Sequence, residues 1–225
     1  MPKVLLGKIQ SPIQSKTLSR FASKFGGRKS KGNSASWLFV GLGNPGDEYV
    51  GTRHNIGSEV VNQIAENSGH RLKKSKYSSL VAGINLDGER IILAFPLTYM
   101  NKSGEAVRRL ADTFGVSDPG RVVIIHDELD LPVGVVKLKQ GGGLAGHNGL
   151  KSVNQHLKTK DFVRVRVGID RPQSSQNVAN YVLRKPAKSD LPAVTESVTK
   201  AVEACELLIK QGIDKAMVTV NARKN

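Results

Sequence analysis

The chain has 225 residues, with 34 Lys and Arg against 19 Asp and Glu for a formal net charge of +15. Its 39% apolar content and its short apolar runs, such as residues 91–95, exclude a disordered chain and a membrane-spanning helix and predict a soluble protein with one substantial core. The single Cys205 excludes an internal disulfide framework and a cysteine-built zinc site.

The charge is unevenly placed. Residues 1–36 carry eight basic side chains (Lys3, Lys8, Lys16, Arg20, Lys24, Arg28, Lys29, Lys31) and no acidic one, which leaves a net +7 for residues 37–225. Over residues 16–24 the basic positions recur every four, while Leu18, Phe21, Ala22 and Phe25 form an apolar stripe. The segment reads as a basic, flexible extension: an organelle presequence, an arm touching RNA, or a solvated tail, the last being the simplest. It lacks the apolar region of a secretory signal.

From Trp37 the elements follow in order. Residues 37–41 form a short apolar run stopped by glycine, a buried first strand. Residues 55–66 carry Ile56, Val60, Val61 and Ile64 at helical spacing ahead of the breakers Ser68 and Gly69. Residues 81–84 and 90–95, separated by Asp87-Gly88, predict a hairpin with a type I′ turn. A second helix covers 104–114 and ends at Gly115, and the β-branched run 122–125 is a central strand buried on both faces. Residues 135–138 make a strand and 148–157 a helix. Over 162–169, Phe, Arg, Arg and Gly alternate with Val, Val, Val and Ile, as in a half-buried strand. Helices at 177–182 and 191–211 complete the chain. Interleaved strands and helices with no internal repeat predict one α/β domain over residues 37–225, a mixed, largely parallel twisted sheet flanked by helices.

Gly41-Leu-Gly43-Asn-Pro-Gly46 is a literal G-x-G-x-x-G after a strand. A dinucleotide site needs its third glycine to open a helix, whereas here Pro45 and residues 47–52 intervene and the helix starts no earlier than His54 or Asn55. The glycines instead free a tight loop that presents Asn44 at the strand's carboxyl edge. An oxidoreductase reading would rest on this fingerprint alone.

In open α/β sheets ligands bind beyond the carboxyl ends of the strands. The first strand delivers Asn44 and then Thr52-Arg53-His54-Asn55, and the strand at 91–95 delivers Tyr99-Met100-Asn101. The strand at 122–125 delivers His126-Asp127-Glu128, and the one at 135–138 leads into the glycine-rich stretch 141–149 with His147 and Asn148. A histidine oriented by a carboxylate draws a proton from water, and neutral amides hold a peptide backbone or an oxyanion. Taken singly, each of these residues is an ordinary turn or capping residue; at one sheet edge together they form a site. No G-x-S-x-G is present, and His54, His126 and His147 have no zinc-hydrolase spacing, so direct attack by water is expected, with no metal and no cofactor.

Residues 39–46 (FVGLGNPG), 51–57 (GTRHNIG), 96–104 (PLTYMNKSG), 126–132 (HDELDLP) and 141–150 (GGGLAGHNGL) together closely resemble the bacterial-type peptidyl-tRNA hydrolases, in family order from about residue 37 to the C-terminus. The resemblance implies a monomeric α/β enzyme that cleaves the ester between a peptide and the 3′-terminal ribose of tRNA, recycling tRNA in translation and ribosome rescue. It implies His54 as the base activating water and Asp127 as the group orienting it. Asn44, Asn101 and Asn148 would hold the peptide main chain, the water and the terminal nucleotide. Met100 would pack along the peptide, His147 would line the mouth, and Tyr49 and Tyr99 would complete the substrate-binding set.

The residues themselves agree. A substrate with variable side chains is best gripped through its backbone, and the net +7 suits a polyanion. Lys137 and Lys139 share a strand face, as do Arg164 and Arg166. By resemblance Lys139 and Arg166 would clamp the tRNA 5′-phosphate, with Lys137, Lys151 and Arg164 as supporting charge, so activity should fall steeply with salt. Two departures stand out: Leu144-Ala145 replace smaller or more polar residues, and the basic extension is longer than is usual. The compartment is therefore the bacterial cytoplasm or, if residues 1–36 are a transit peptide, a mitochondrion or plastid. The alternative function is a non-catalytic RNA-binding relative of the organellar intron-splicing type, which would have no need of His54 and Asp127.

Overall fold

Seven strands form one sheet in the order β2-β3-β4-β1-β5-β7-β6. They are β1 (Trp37–Gly41), β2 (Lys73–Lys74), β3 (Ser79–Leu86), β4 (Glu89–Pro96), β5 (Val122–Glu128), β6 (Val136–Gln140) and β7 (Val163–Gly168). The structure, a computed structural model, describes residues 34–172 and 177–222. The sequence reading of residues 1–33 lies outside them. The central strands β4, β1, β5 and β7 run parallel, β3 and β6 join them antiparallel at either side, and β2 pairs antiparallel with β3. This is the mixed, largely parallel sheet that the alternation of elements predicts. Among the described residues no helix is long and apolar enough to cross a membrane.

The parallel connections place helices on both faces. Phe39, Leu93, Val123, Ile125 and Val165 form one buried face with Val60, Val61 and Ile64 of α1 (Ile56–Asn67) and Val202, Cys205 and Leu208 of α5 (Leu191–Ala222). Leu38, Val40, Ile92 and Ile124 form the other with Val107 and Leu110 of α2 (Ser103–Phe114) and Leu150 and Val153 of α3 (Asn148–Leu157). A short α4 (Val178–Val182) precedes α5. The expected turn between β3 and β4 has positive φ at both Asp87 (49°) and Gly88 (82°), and α2 ends at Gly115 in the left-handed region (φ 68°). Ahead of β1, the Ala35 and Ser36 amides donate to Phe114 O and Arg90 O, each at 2.8 Å.

Three features differ from the sequence expectation. β5 continues through His126, Asp127 and Glu128, because β7 pairs with it as far as Gly168. β2, two exposed lysines at the sheet edge, has no apolar pattern to announce it. α5 extends past residue 211: Gly212 interrupts it (φ 76°, ψ 169°), and the chain returns to bury Ala216 and Val220. There Asn221 acts as a partner for the edge of β6. It accepts from the Leu138 amide at 2.8 Å and donates to the Leu138 carbonyl at 2.9 Å, covering an edge that would otherwise be open.

The first glycine of the apparent dinucleotide fingerprint, Gly41, serves packing. A Cβ on Gly41 would lie 2.1 Å from Gly57 O, and one on Gly57 would lie 2.2 Å from Ile125 O. The start of α1 therefore rests directly on the carboxyl ends of β1 and β5. This close approach brings the segment carrying His54 to the strand carrying Asp127.

Candidate active site

His54 lies in the 3-10 turn Arg53–Asn55 that leads into α1. Its neighbour Arg53 anchors the turn: the guanidinium donates to Arg184 O (3.2 Å) and Lys185 O (3.0 Å) and stacks 4.2 Å above the Tyr181 ring. His54 Nδ1 meets Asp127 Oδ1 at 2.8 Å. Asp127, 4% exposed on β5, also receives His147 Nε2 on the same oxygen at 3.0 Å. Burial alone would raise the Asp127 pKa, but the charges and hydrogen bonds of His54 and His147 outweigh it and hold the carboxyl well below the usual range. Asp127 is thus an acceptor only. Its bond to His54 places a hydrogen on Nδ1 and leaves the Nε2 lone pair for a proton from water.

His147 is the N-cap of α3. The Gly149 and Leu150 amides donate to its Nδ1 at 3.0 and 3.3 Å. His126, the residue before Asp127, donates from Nδ1 to the Asp127 carbonyl at 2.6 Å and packs edge-on against the His147 ring, 5.1 Å between centroids. Burial first, and the charge of His147 next, push the His126 pKa down to about 3. It is a neutral, structural imidazole. Among the described residues, His54, Asp127 and His147 are the one group whose atoms, all within 4.8 Å of one another, have the chemistry to hold a metal. The facing atoms are already engaged in hydrogen bonds that a metal would have to displace.

The amides are placed by a second set of bonds. Asn55 grips the backbone of Asn44 twice: its Oδ1 accepts from Asn44 N and its Nδ2 donates to Asn44 O, both at 2.9 Å. Asn44 Oδ1 accepts from the Met100 amide at 2.7 Å, which identifies the other side-chain atom as the donor Nδ2. Met100 is buried, and a Cβ on Gly149 would meet its Sδ at 2.5 Å, so the 3-10 turn Met100–Lys102 and the start of α3 pack together. Asn101 and Tyr99, the latter 58% exposed, border this contact on one side and Asn148, exposed at the first position of α3, on the other. Tyr49 ends a separate 3-10 turn, Asp47–Tyr49, where its carbonyl accepts from Thr52 Oγ1 at 2.8 Å.

On β6 and β7 the register sets Lys137 opposite Arg166 and Lys139 opposite Arg164. All four cations therefore share one sheet face, and their partners differ. Lys137 Nζ donates to Asn221 O at 2.7 Å, and Arg166 pairs with the buried Glu128 at 2.9 Å. Arg164 is only 2% exposed. It donates from Nη1 to Gly143 O at 2.7 Å, while its Nε and Nη2 have no partner. Burial, followed by the Arg166 charge, lowers its pKa. Lys139, and Lys151 on α3, are exposed. Asn55 and Glu128 stand among the polar residues that the sequence places at the strand ends, but the spacing assigns them no role, and it gives no sign of the Gly143 carbonyl.

Comparison with known proteins places this arrangement in a family. The model of the family described as peptidyl-tRNA hydrolase matches residues 38–225. The chain is 45% identical over 183 residues to the peptidyl-tRNA hydrolase of Pseudarthrobacter chlorophenolicus, covering 80% of this chain and 93% of the relative. It is 48% identical over 169 residues to that of Geobacillus thermodenitrificans, covering 75% and 90%. The crystal structure of the peptidyl-tRNA hydrolase of Acinetobacter baumannii superposes with a TM-score of 0.78 at 38% identity, covering 85% of this chain and 96% of that one.

Proposed function

The chain belongs to the peptidyl-tRNA hydrolase family, and from that premise we propose that it cleaves the peptide–tRNA ester by water that His54 activates and Asp127 assists. It is an ester hydrolase acting on peptidyl-tRNA. The observation that carries the mechanism is the 2.8 Å bond from His54 Nδ1 to a buried carboxylate, which leaves Nε2 as the base. Water attacks the ester carbonyl carbon as its proton passes to Nε2. The C–O bond to the ribose then breaks, and the imidazolium returns the proton to the departing ribose oxygen, releasing tRNA and a free peptide acid. Asp127 offsets the imidazolium charge throughout. To Asn44 Nδ2, Asn101 and Asn148 we assign neutral contacts to the peptide main chain, the water and the terminal nucleotide, and to Met100, Tyr99, Tyr49 and His147 the remaining contacts to substrate.

We place the tRNA 5′-phosphate at Lys139 and Arg166, with Lys137 and Lys151 adding field and Arg164 supporting the loop from beneath. The decisive experiment is deacylation of N-blocked aminoacyl-tRNA beside free aminoacyl-tRNA. Wild type should cleave the first and spare the second, and His54→Ala should lose at least about 1000-fold in kcat. A fully active His54→Ala would overturn the mechanism, and an inactive wild type would favour the binding-only alternative.

A further inference from the structure

His147 is bound at both ring nitrogens, and only one distribution of hydrogens satisfies both. At Nδ1 two backbone amides point inward, from Gly149 at 3.0 Å and Leu150 at 3.3 Å. Amides only donate, so Nδ1 is the lone pair. At Nε2 the partner is Asp127 Oδ1 at 3.0 Å, an ionised carboxylate that only accepts, so Nε2 carries the hydrogen. The ring is held from a third side by His126 of β5, edge-on at 78°. His54 lies 5.0 Å away, tilted by 42°.

We propose that His147 is a positioning residue. In its Nε2–H tautomer it fixes the Asp127 carboxylate for His54 while its Nδ1 caps α3, so that one ring ties the orientation of the base to the placement of Asn148. The proposal rests on the hydrolase reading and adds to it. A residue that merely lines the cleft has no need of a defined tautomer, whereas here each bond requires the other. Were the hydrogen on Nδ1, the α3 amides would lose their acceptor and Asp127 would face a second lone pair. The capping bonds satisfy amides of the first turn of α3, which have no acceptor within the helix. The bond to Asp127 selects which carboxylate oxygen faces His54. A small misplacement at such a point can cost about 100-fold in rate.

The test has two arms. Two-bond proton–nitrogen spectra of the ¹⁵N-labelled wild-type protein, without substrate, should show His147 with hydrogen on Nε2 and His54 with hydrogen on Nδ1. A hydrogen on Nδ1 of His147 would overturn the proposal outright. In the second arm His147→Asn keeps a side-chain acceptor for the α3 amides but is too short to reach Asp127, and His147→Ala loses both bonds. His147→Asn should retain wild-type amide protection over residues 150–153, keep KM within about threefold and lower kcat about 100-fold. His147→Ala should lose the protection as well. A His147→Asn variant with wild-type kcat, or with a raised KM alone, would reduce the ring to a substrate contact. Wild type inactive on N-blocked aminoacyl-tRNA, yet showing the expected spectrum, would instead overturn the hydrolase reading and with it the catalytic purpose of the tautomer.

Discussion

At the end of β5 one buried carboxylate is met by two imidazole donors, whereas one strand away, on β7 and β6, four cations share a face with a single carboxylate, Glu128. In the first region the carboxylate has its charge and its imidazole bonds matched within the protein, and one buried ring nitrogen, His126 Nε2, is left without a partner. In the second, like charges stand directly opposite one another and Arg164 keeps two buried donors unpaired, an arrangement that costs stability in a bare sheet. The difference is the one that the proposed roles, a base in the first region and a phosphate contact in the second, require. A base must be oriented before its substrate arrives, and that preorganisation is built from internal bonds. A phosphate contact draws its energy from the ligand, and satisfying it internally would leave nothing to bind with. Glu128 marks the boundary: it neutralises the cation nearest the catalytic strand and leaves Lys139 exposed.

The sharpest way to break this comparison is to spoil the matched region by one atom. Asp127→Asn preserves shape but replaces an acceptor with a side chain that can also donate, so that His54 can turn its lone pair inward. We expect kcat to fall about 1000-fold or more with KM little changed. Steady-state kinetics on N-blocked aminoacyl-tRNA checks this. A loss below about tenfold would mean that Asp127 supplies packing rather than orientation.

Acid stability probes the same region with a smaller effect. Burial holds His126 down to about 3, against 6.5 for an ordinary histidine. Between these values the unfolded chain takes up a proton that the folded chain refuses, so stability falls as pH drops from about 6.5 toward 3. The cost accumulates to a few kcal/mol over that window. Asp127, held below its ordinary 3.8, adds its own loss only as pH falls beneath about 4. Thermal melts of wild type should therefore drop between pH 6.5 and 4, and those of His126→Phe should be flatter there. Parallel curves would show that His126 is not the group responsible.

How much of this could be read from the sequence differs between the two regions for physical reasons. The core strands, α1, α2 and α3, and the convergence of Asn44, His54, Asp127 and Asn148 follow from local periodicity and from the rule that sites form at strand ends. The extension of β5 through His126, Asp127 and Glu128 does not, because polar residues there are buried by pairing with β7, some 40 positions away. On β7, alternation correctly sets Arg164 and Arg166 on one face, yet it cannot show that the glycine-rich loop folds over one of them. Arg164 is buried because Gly143 lies above it, and Lys137 is engaged because Asn221 returns to the sheet edge. Non-local partners of this kind leave no trace in spacing. The fingerprint at residues 41–46 fails for the opposite reason: its first glycine, Gly41, is required by the approach of α1, a need that phosphate binding and close packing share.

The smallest effects separate the two cations proposed to hold the phosphate. Lys139→Ala and Arg166→Ala should each raise KM about tenfold, and each should flatten the dependence of log kcat/KM on log salt by about 0.7 to 0.9. In stability they should part. Arg166→Ala strands Glu128, a 4% exposed carboxylate that would then lack its partner, so the melting temperature should drop. Lys139→Ala removes a like charge from opposite Arg164 and breaks no bond within the described residues, so stability should hold or rise by a few tenths of a kcal/mol. A protein that melts higher while binding its substrate less well is the signature expected of a residue kept for its ligand. If instead Lys139→Ala melted lower than wild type with unchanged salt dependence, Lys139 would belong to the internally matched part of the molecule and the contrast between the two regions would end at β6.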